Sequence, residues 1–277
     1  APARSLRRPR FLAIVSAASL AANLLRKATG RVDGFVVEGS TAGGHNAPPR
    51  GPLRLNDRGE PLYGERDVVD LAEMRALGVP FWLAGGVGSP AGVADAIAAG
   101  AAGIQVGTLF AYADESGIAP DVKRRVLGAV AAGTAEVFTD PRASPTGYPF
   151  KVVDLPGATD ALANRTRICD LGYLRVAVRS PSGALLYRCA AEPVHDYVRK
   201  GGSEEGANGR RCLCNGLTAT IGQAQVRRDG TVEPPIVTSG DDLVSLGAFL
   251  AGRDRYGAAD VLHYLYASTT RTPIAPL

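Results

Sequence analysis

The sequence predicts an α/β fold made of β/α units with parallel strands, and three observations predict it. Phe81–Ala84 is a short apolar run closed by Gly85-Gly86, and Pro90–Ala99 is an Ala-rich helical pattern ending at Gly100. Gly103–Val106 is a second apolar run, closed by Gly107-Thr108. The same alternation occurs upstream, where Phe11–Ser16 runs into a helical stretch, Ala17–Thr29, closed by Gly30 and followed by a strand at Gly34–Val37. Strands joined by crossover helices are parallel. The glycine-closed loops therefore fall at the C-terminal strand ends, where parallel β/α folds carry ligands.

Gly85, Gly86, Gly88 and Gly107 let the backbone approach a phosphate closely, and the N–H groups of a following helix start would point at it. The same glycines could simply make tight βα turns. Two such loops recurring at one unit's spacing favour the phosphate, which in an eight-fold β/α barrel sits in the loops after the last two strands.

The rest of the chain follows in order. Asn46 to about Arg66 is rich in Pro, Gly and Arg, and its place directly after His45 favours a lid-like loop at 46–66 over disorder. Asp67–Leu77 is a helix with Val68, Val69, Leu71, Met74 and Leu77 at helical spacing, and Pro120–Ala132 is another amphipathic helix. The stretch from Thr139 to Leu155 reads as irregular. Beyond about Asp160 the composition changes, which suggests a division into 1–158 and a C-terminal α+β extension, 159–277. There, Leu171–Val178 and Ala184–Ala190 form a β-hairpin across Ser180–Gly183, and Gly201–Gly209 is a flexible loop. Asp241–Ala251, capped by Ser239 or Asp241, and Ala258–Tyr266 are closing helices.

Composition narrows the function classes. A chain of 277 residues with 45% hydrophobic residues, 21% charged residues and 34 glycines suits an α/β protein with many turns. The net charge of +4 owes much to Arg4, Arg7, Arg8 and Arg10. No basic stripe interleaved with aromatics follows, which argues against nucleic acid as a partner. No apolar run reaches transmembrane length, so no membrane partner is expected either. The basic front and apolar middle of residues 4–22 imitate a secretory signal, but the pattern continues directly into another strand, which favours a barrel strand and helix. The chain opens on Ala1 rather than Met, as expected where residues have been removed or left out. The location expected is cytoplasmic.

Taken together, AGGV at Ala84–Val87, QVGT at Gln105–Thr108 and EGSTAGGHN at Glu38–Asn46 resemble the flavin-phosphate segments and the histidine-ended Gly-rich loop of nitronate monooxygenases. The resemblance covers roughly residues 10 to 150 and implies a (β/α)8 TIM-barrel fold. The four strands would then be strands five to eight, with about four β/α units absent. Either the chain is a fragment or another chain completes the barrel, and apolar residues such as Phe11, Ile14, Val36 and Ile104 would otherwise lie uncovered.

The resemblance also implies FMN as cofactor and oxidation of a small nitronate or nitroalkane by oxygen. His45 would be the base that takes a proton from the carbon beside the nitro group, work that suits an imidazole near neutral pH. Read without the family, His45 could merely cap a glycine turn. Gly39 and Gly44 would approach the flavin. Gly85, Gly86, Val106, Gly107 and Thr108 would hold its phosphate. Gln105 would contact the flavin or be a satisfied core amide, and Ser16 and Glu38 end strands on the same rim. An enoyl-thioester or NAD(P)H:quinone reductase, and a truncated non-catalytic remnant, are the alternatives. No metal is expected. Cys169, Cys189, Cys212 and Cys214 contain one Cys-x-Cys with two scattered partners, for which reduced thiols are the expectation over zinc or disulfide. His195 and His263 read as structural.

Overall fold

The computed structural model describes residues 8–155 and 165–267. Arg4, Arg7 and the division at 158/159 lie outside the described residues. Four parallel strands form one sheet in sequence order: β1 (Leu12–Val15), β2 (Gly34–Glu38), β3 (Phe81–Ala84) and β4 (Gly103–Gln105). Register runs Val15 to Val37, Val37 to Leu83 and Leu83 to Ile104, so the C-terminal strand ends line up on one rim.

Helices α1 (Ala18–Lys27), α2 (Leu71–Ala76) and α3 (Pro90–Ala98) supply the crossovers. They close a core of Ala13, Val15, Ala21, Phe35, Val37, Met74, Phe81 and Ala96 on one face. Starts are set by capping: Asp70 accepts from the Ala72 and Glu73 N–H groups, and Ser89 from that of Gly92, with Pro90 at the first helical position. The helix expected from Asp67 therefore begins at Leu71, after a single 3-10 turn at Glu65–Asp67.

The other face of the sheet is less covered. Phe11, Leu12 and Ile14 are exposed, while Val36 is buried and Ile104 partly buried against both main cores. Four strands leave the sheet open at β1 and β4 among the described residues.

The second main core packs α4 (Thr108–Ala111) and α5 (Pro120–Ala131) against C-terminal elements, α9 (Leu246–Leu250) and α10 (Ala258–Leu265). Tyr112, Val126, Leu243, Leu246 and Val261 are its centre. The helix expected over Asp241–Ala251 is broken into a 3-10 turn, Asp241–Leu243, and α9, ending at Ala251 in the left-handed region (φ 48°).

The stretch from Thr139 is not irregular: β5 (Glu136–Asp140) and β6 (Phe150–Asp154) pair antiparallel, Phe138 opposite Val152. Lys151 interrupts the apolar run of β6 and hid it, yet its side chain is buried, with Nζ 2.7 Å from Thr139 Oγ1 and 2.6 Å from an Asp241 carboxylate oxygen. Further on, β7 (Val176–Arg179) and β8 (Leu185–Arg188) form the expected hairpin. The segment expected to be a flexible loop, Gly201–Gly209, contains the short helix α7 (Glu204–Ala207), capped by Ser203, which follows α6 (Val194–Arg199). Helix α8 (Leu213–Thr220) had no sequence counterpart. No helix among the described residues is long and apolar enough to cross a membrane.

Phe35 and Ile14 test which face is the core. Phe35 is 0% exposed, so Phe35→Ala should cost about 3–5 kcal/mol. Ile14 is 63% exposed, so Ile14→Ala should change stability by less than about 0.5 kcal/mol. Equilibrium denaturant unfolding of both variants measures the contrast, and equal losses would contradict this assignment of the core.

Candidate active site

A cavity of about 270 Å3 opens at the C-terminal ends of β2, β3 and β4. Glu38, Ala42, Gly43 and Gly44 wall it on one side, Gly85 to Gly88 on a second and Gln105 to Thr108 on a third. Thr238, Ser239, Gly240 and Asp242 close it from the C-terminal region.

Close backbone approach explains the glycines. Gly85 has φ +89°, and a Cβ there would sit 2.8 Å from the Ala42 nitrogen. A Cβ on Gly43 would lie 2.7 Å from the Ser239 carbonyl carbon, and one on Gly240 2.7 Å from Asp242 Oδ1. At Gly85 and Gly43 the neighbour is backbone, so a side chain is excluded unless backbone moves, whereas at Gly240 the nearest atom belongs to the Asp242 side chain, which would have to leave Thr108.

Of the residues singled out from sequence, Gly44, Gly85, Gly86, Gln105, Val106, Gly107 and Thr108 line this cavity. Gln105 is exposed to it, which removes the alternative of a satisfied core amide. Gly39 instead borders a smaller neighbouring cavity of about 30 Å3 with Ser16, Glu38, Arg50 and Tyr63. Ala47, Pro48, Arg50 and Tyr63 of the 46–66 loop line that second cavity. The loop is tied down at both ends: Arg50 donates to the Ser16 carbonyl (2.8 Å), and Glu60 accepts from the Thr139 N–H (2.9 Å).

His45 stands one residue beyond the main cavity's wall. Its ring packs edge-on against Phe150 with centroids 4.9 Å apart, and Nε2 lies 2.7 Å from Ser144 Oγ. Burial lowers its pKa below the usual histidine value. The backbone around it is stitched on two sides. The Lys151 N–H donates to the Gly44 carbonyl and the Asn46 N–H to the Pro149 carbonyl, each at 2.9 Å. The Gly44 N–H donates to Thr238 Oγ1 at 2.8 Å. His195 and His263 are exposed on α6 and α10, away from the cavity lining.

Thr108 is more constrained than its sequence position suggests. Its hydroxyl donates to Asp242 Oδ1 at 2.5 Å and accepts from the Gly240 N–H at 3.1 Å. Burial raises the Asp242 carboxyl, against the opposing hydrogen bond from Thr108. Glu38 is likewise raised by burial. The 238–242 wall was missed from sequence because Ser239 and Asp241 read as a helix cap. No side chain caps the turn that starts there. The run Thr-Ser-Gly-Asp-Asp, small and polar around a glycine, was the available signal.

The chain is similar to several known proteins. The nitronate monooxygenase family profile matches residues 2–142. A probable nitronate monooxygenase from Bacillus subtilis (strain 168) is 38% identical over 103 residues, covering 37% of this chain and 28% of that protein. Another from Staphylococcus haemolyticus (strain JCSC1435) is 37% identical over 97 residues, covering 35% of this chain and 26% of that protein. The matches thus span little more than a quarter of the curated relatives' length. Among solved structures, FabK from Thermotoga maritima superposes with a TM-score of 0.50 at 18% identity, over 93% of this chain and 60% of that one, a likeness of fold. The family match takes in just over half of the 277 residues, with all four parallel strands, His45 and three of the four cavity walls, and on that ground the chain belongs to the nitronate monooxygenase family.

Proposed function

We propose that this chain holds the phosphate end of FMN in the 270 Å3 cavity and takes part in the oxidation of nitronates or nitroalkanes by oxygen, with His45 as the base. The observation that supports it most directly is the set of side-chain-free walls, Gly43-Gly44, Gly85-Gly86 and Gly107, converging at the C-terminal strand ends. The volume lies just below the roughly 300–1,000 Å3 of small-molecule pockets, enough for part of a dinucleotide-sized or mononucleotide cofactor. In this reading the four β/α units belong to a (β/α)8 barrel whose other strands face the exposed side of the sheet.

FMN, when bound, supplies the electron acceptor for the oxidation. The chain's own part is to bind, orient and take the proton. Gly85, Gly86, Gly107 and Thr108 present backbone to the phosphate, and Gln105 presents an exposed amide on the same rim. Ser144 positions the imidazole of His45 through Nε2, and in the tautomer in which Nε2–H donates to Ser144 Oγ it is Nδ1 that carries the lone pair to accept the proton from the substrate carbon. A lowered pKa keeps the ring neutral, and so able to accept, at neutral pH.

Two outcomes are expected. In a flavin-loaded assembly, His45→Asn should slow oxidation of neutral nitroalkanes by about 10²–10⁴-fold. Pre-ionised nitronate, which has already lost the proton, should be slowed far less. The wild-type rate on nitroalkane should rise with pH through a value below the ordinary histidine range, where the ring deprotonates. Equal slowing of both substrates would remove His45 as the base. Consumption of NADH with a quinone, without oxygen uptake on nitronate, would remove the oxidation itself.

The second concerns Asp242. Its carboxyl shares the cavity with the phosphate, and the raised pKa means that a drop in pH neutralises it early. FMN should therefore bind more tightly as pH falls into the carboxylate range. Asp242→Asn, which can still accept from Thr108, should tighten FMN several-fold at neutral pH and flatten that dependence. Riboflavin, lacking the phosphate, should show neither effect. Fluorescence-quenching titrations of both ligands decide it.

A further inference from the structure

The four cysteines, separated by up to 45 positions in sequence, form one cluster in the fold. Cys189 follows β8, Cys212 immediately precedes α8, Cys214 lies in its first turn, and Cys169 comes from the loop before β7. Cys189 and Cys212 are buried, and Cys169 and Cys214 pack against them half-exposed. Their thiols neighbour one another around the cluster, Cys169 beside Cys189 and Cys214, and Cys212 beside Cys189 and Cys214.

Their surroundings suit thiolates. Each sulfur is offered hydrogen bonds by nitrogen donors: Cys189 by the Ala191 N–H, Cys212 by that of Asn215, Cys214 by those of Tyr173 and Leu174, and Cys169 by the Arg175 guanidinium. Arg165 adds positive charge beside Cys212, and Arg167 beside Cys189. Glu192 opposes this near Cys169, but Lys200 neutralises it at 2.7 Å. Neutral thiols are poor acceptors and have no need of so many donors. Donors aimed at sulfur, with guanidinium groups outside them, are what a multiply charged thiolate centre requires.

We propose that Cys169, Cys189, Cys212 and Cys214 are the ligands of a structural zinc ion. Among the described residues no three His, Cys, Asp or Glu side chains stand in a finished metal-binding arrangement, so the sulfurs must close inward on the ion. Zinc–sulfur bonds of about 2.3 Å set the target of that closure, four sulfurs at the corners of a tetrahedron about 3.8 Å apart. Four soft thiolates with no open position select zinc and leave no place for substrate. The ion would replace the S–H protons, which leave to solvent as the thiolates bind.

The local fold gives the ion a task. The hairpin β7–β8 is exposed along much of its length, with Val176, Leu185 and Tyr187 in solvent, and a lone two-stranded hairpin is marginal in water. Apart from the cysteines, Ala191 is the only buried residue of the cluster beneath it. A single ion would tie the loop before β7, the end of β8 and the start of α8 together, which is how small regions without an adequate core are held.

The test uses the full chain, purified under reducing conditions without chelator. Elemental analysis should find one zinc per chain. After removal of the metal, cobalt(II) alone should produce saturable thiolate-to-cobalt absorption that zinc bleaches. Cys169→Ser and Cys214→Ser should each weaken cobalt binding by more than the roughly 10–100-fold typical of losing an outer-shell partner. Should these variants fail to fold, titrating the wild-type thiols with a mercurial should release zinc to a chromogenic chelator in step with thiol modification. Absence of both zinc and the cobalt bands overturns the proposal. So does a chain in which the four thiols are found as disulfides, or a brown protein carrying iron and inorganic sulfide.

Discussion

The short antiparallel contact between His45 and Phe150 is the constraint on which the site depends. It is flanked by the bonds from Lys151 to Gly44 and from Asn46 to Pro149, so the histidine loop is held as an extra edge of the β5–β6 hairpin. The same β6 strand reaches the opposite wall, where the Val153 N–H donates to the Val237 carbonyl at 2.8 Å. One strand thus fixes the spacing between the loop after β2 and the C-terminal loop. Lys151, a residue 2% exposed, secures the junction from inside: its ammonium has Asp241 and Thr139 as partners, and a buried cation without them would cost several kcal/mol.

Burial acts on His45, Glu38 and Asp242 to one end. It lowers His45 and raises Glu38 and Asp242, so each is pushed toward its uncharged form. That is the environment in which an imidazole can serve as a neutral acceptor and a carboxyl can share space with an anion. Thr108 gives the carboxyl a donor in either state and holds Gly240 against it, so the raised pKa does not come at the expense of position.

The parallel sheet and three of the four cavity walls were legible in the sequence because both are local patterns. Apolar runs such as Phe81–Ala84, closed by glycines, announce strand and loop together, and the Ala-rich pattern from Pro90 to Ala99 announces the next helix. The fourth wall was not legible, because Thr238–Asp242 meets the others only through long-range packing and its composition also fits a helix start. The β5–β6 hairpin was hidden for a different reason. A lysine in the middle of Phe150–Asp154 contradicts the apolar pattern unless its partners, Thr139 and Asp241, are known in advance. The cysteines show the same limit, since no spacing rule connects Cys169 to Cys214 before the loop and helix carrying them are docked.

The bond from Gly44 to Thr238 joins residues 194 positions apart. Loop closure of that length costs entropy before any contact repays it, and folds rich in such contacts form slowly. During synthesis the first three walls, complete by residue 111, therefore emerge long before the segment that finishes the cavity. Enclosure of the cavity comes last, when the chain's C-terminal third returns to the sheet, and a nascent chain halted short of Thr238 carries the glycine loops of the parallel sheet yet lacks the wall that closes them in.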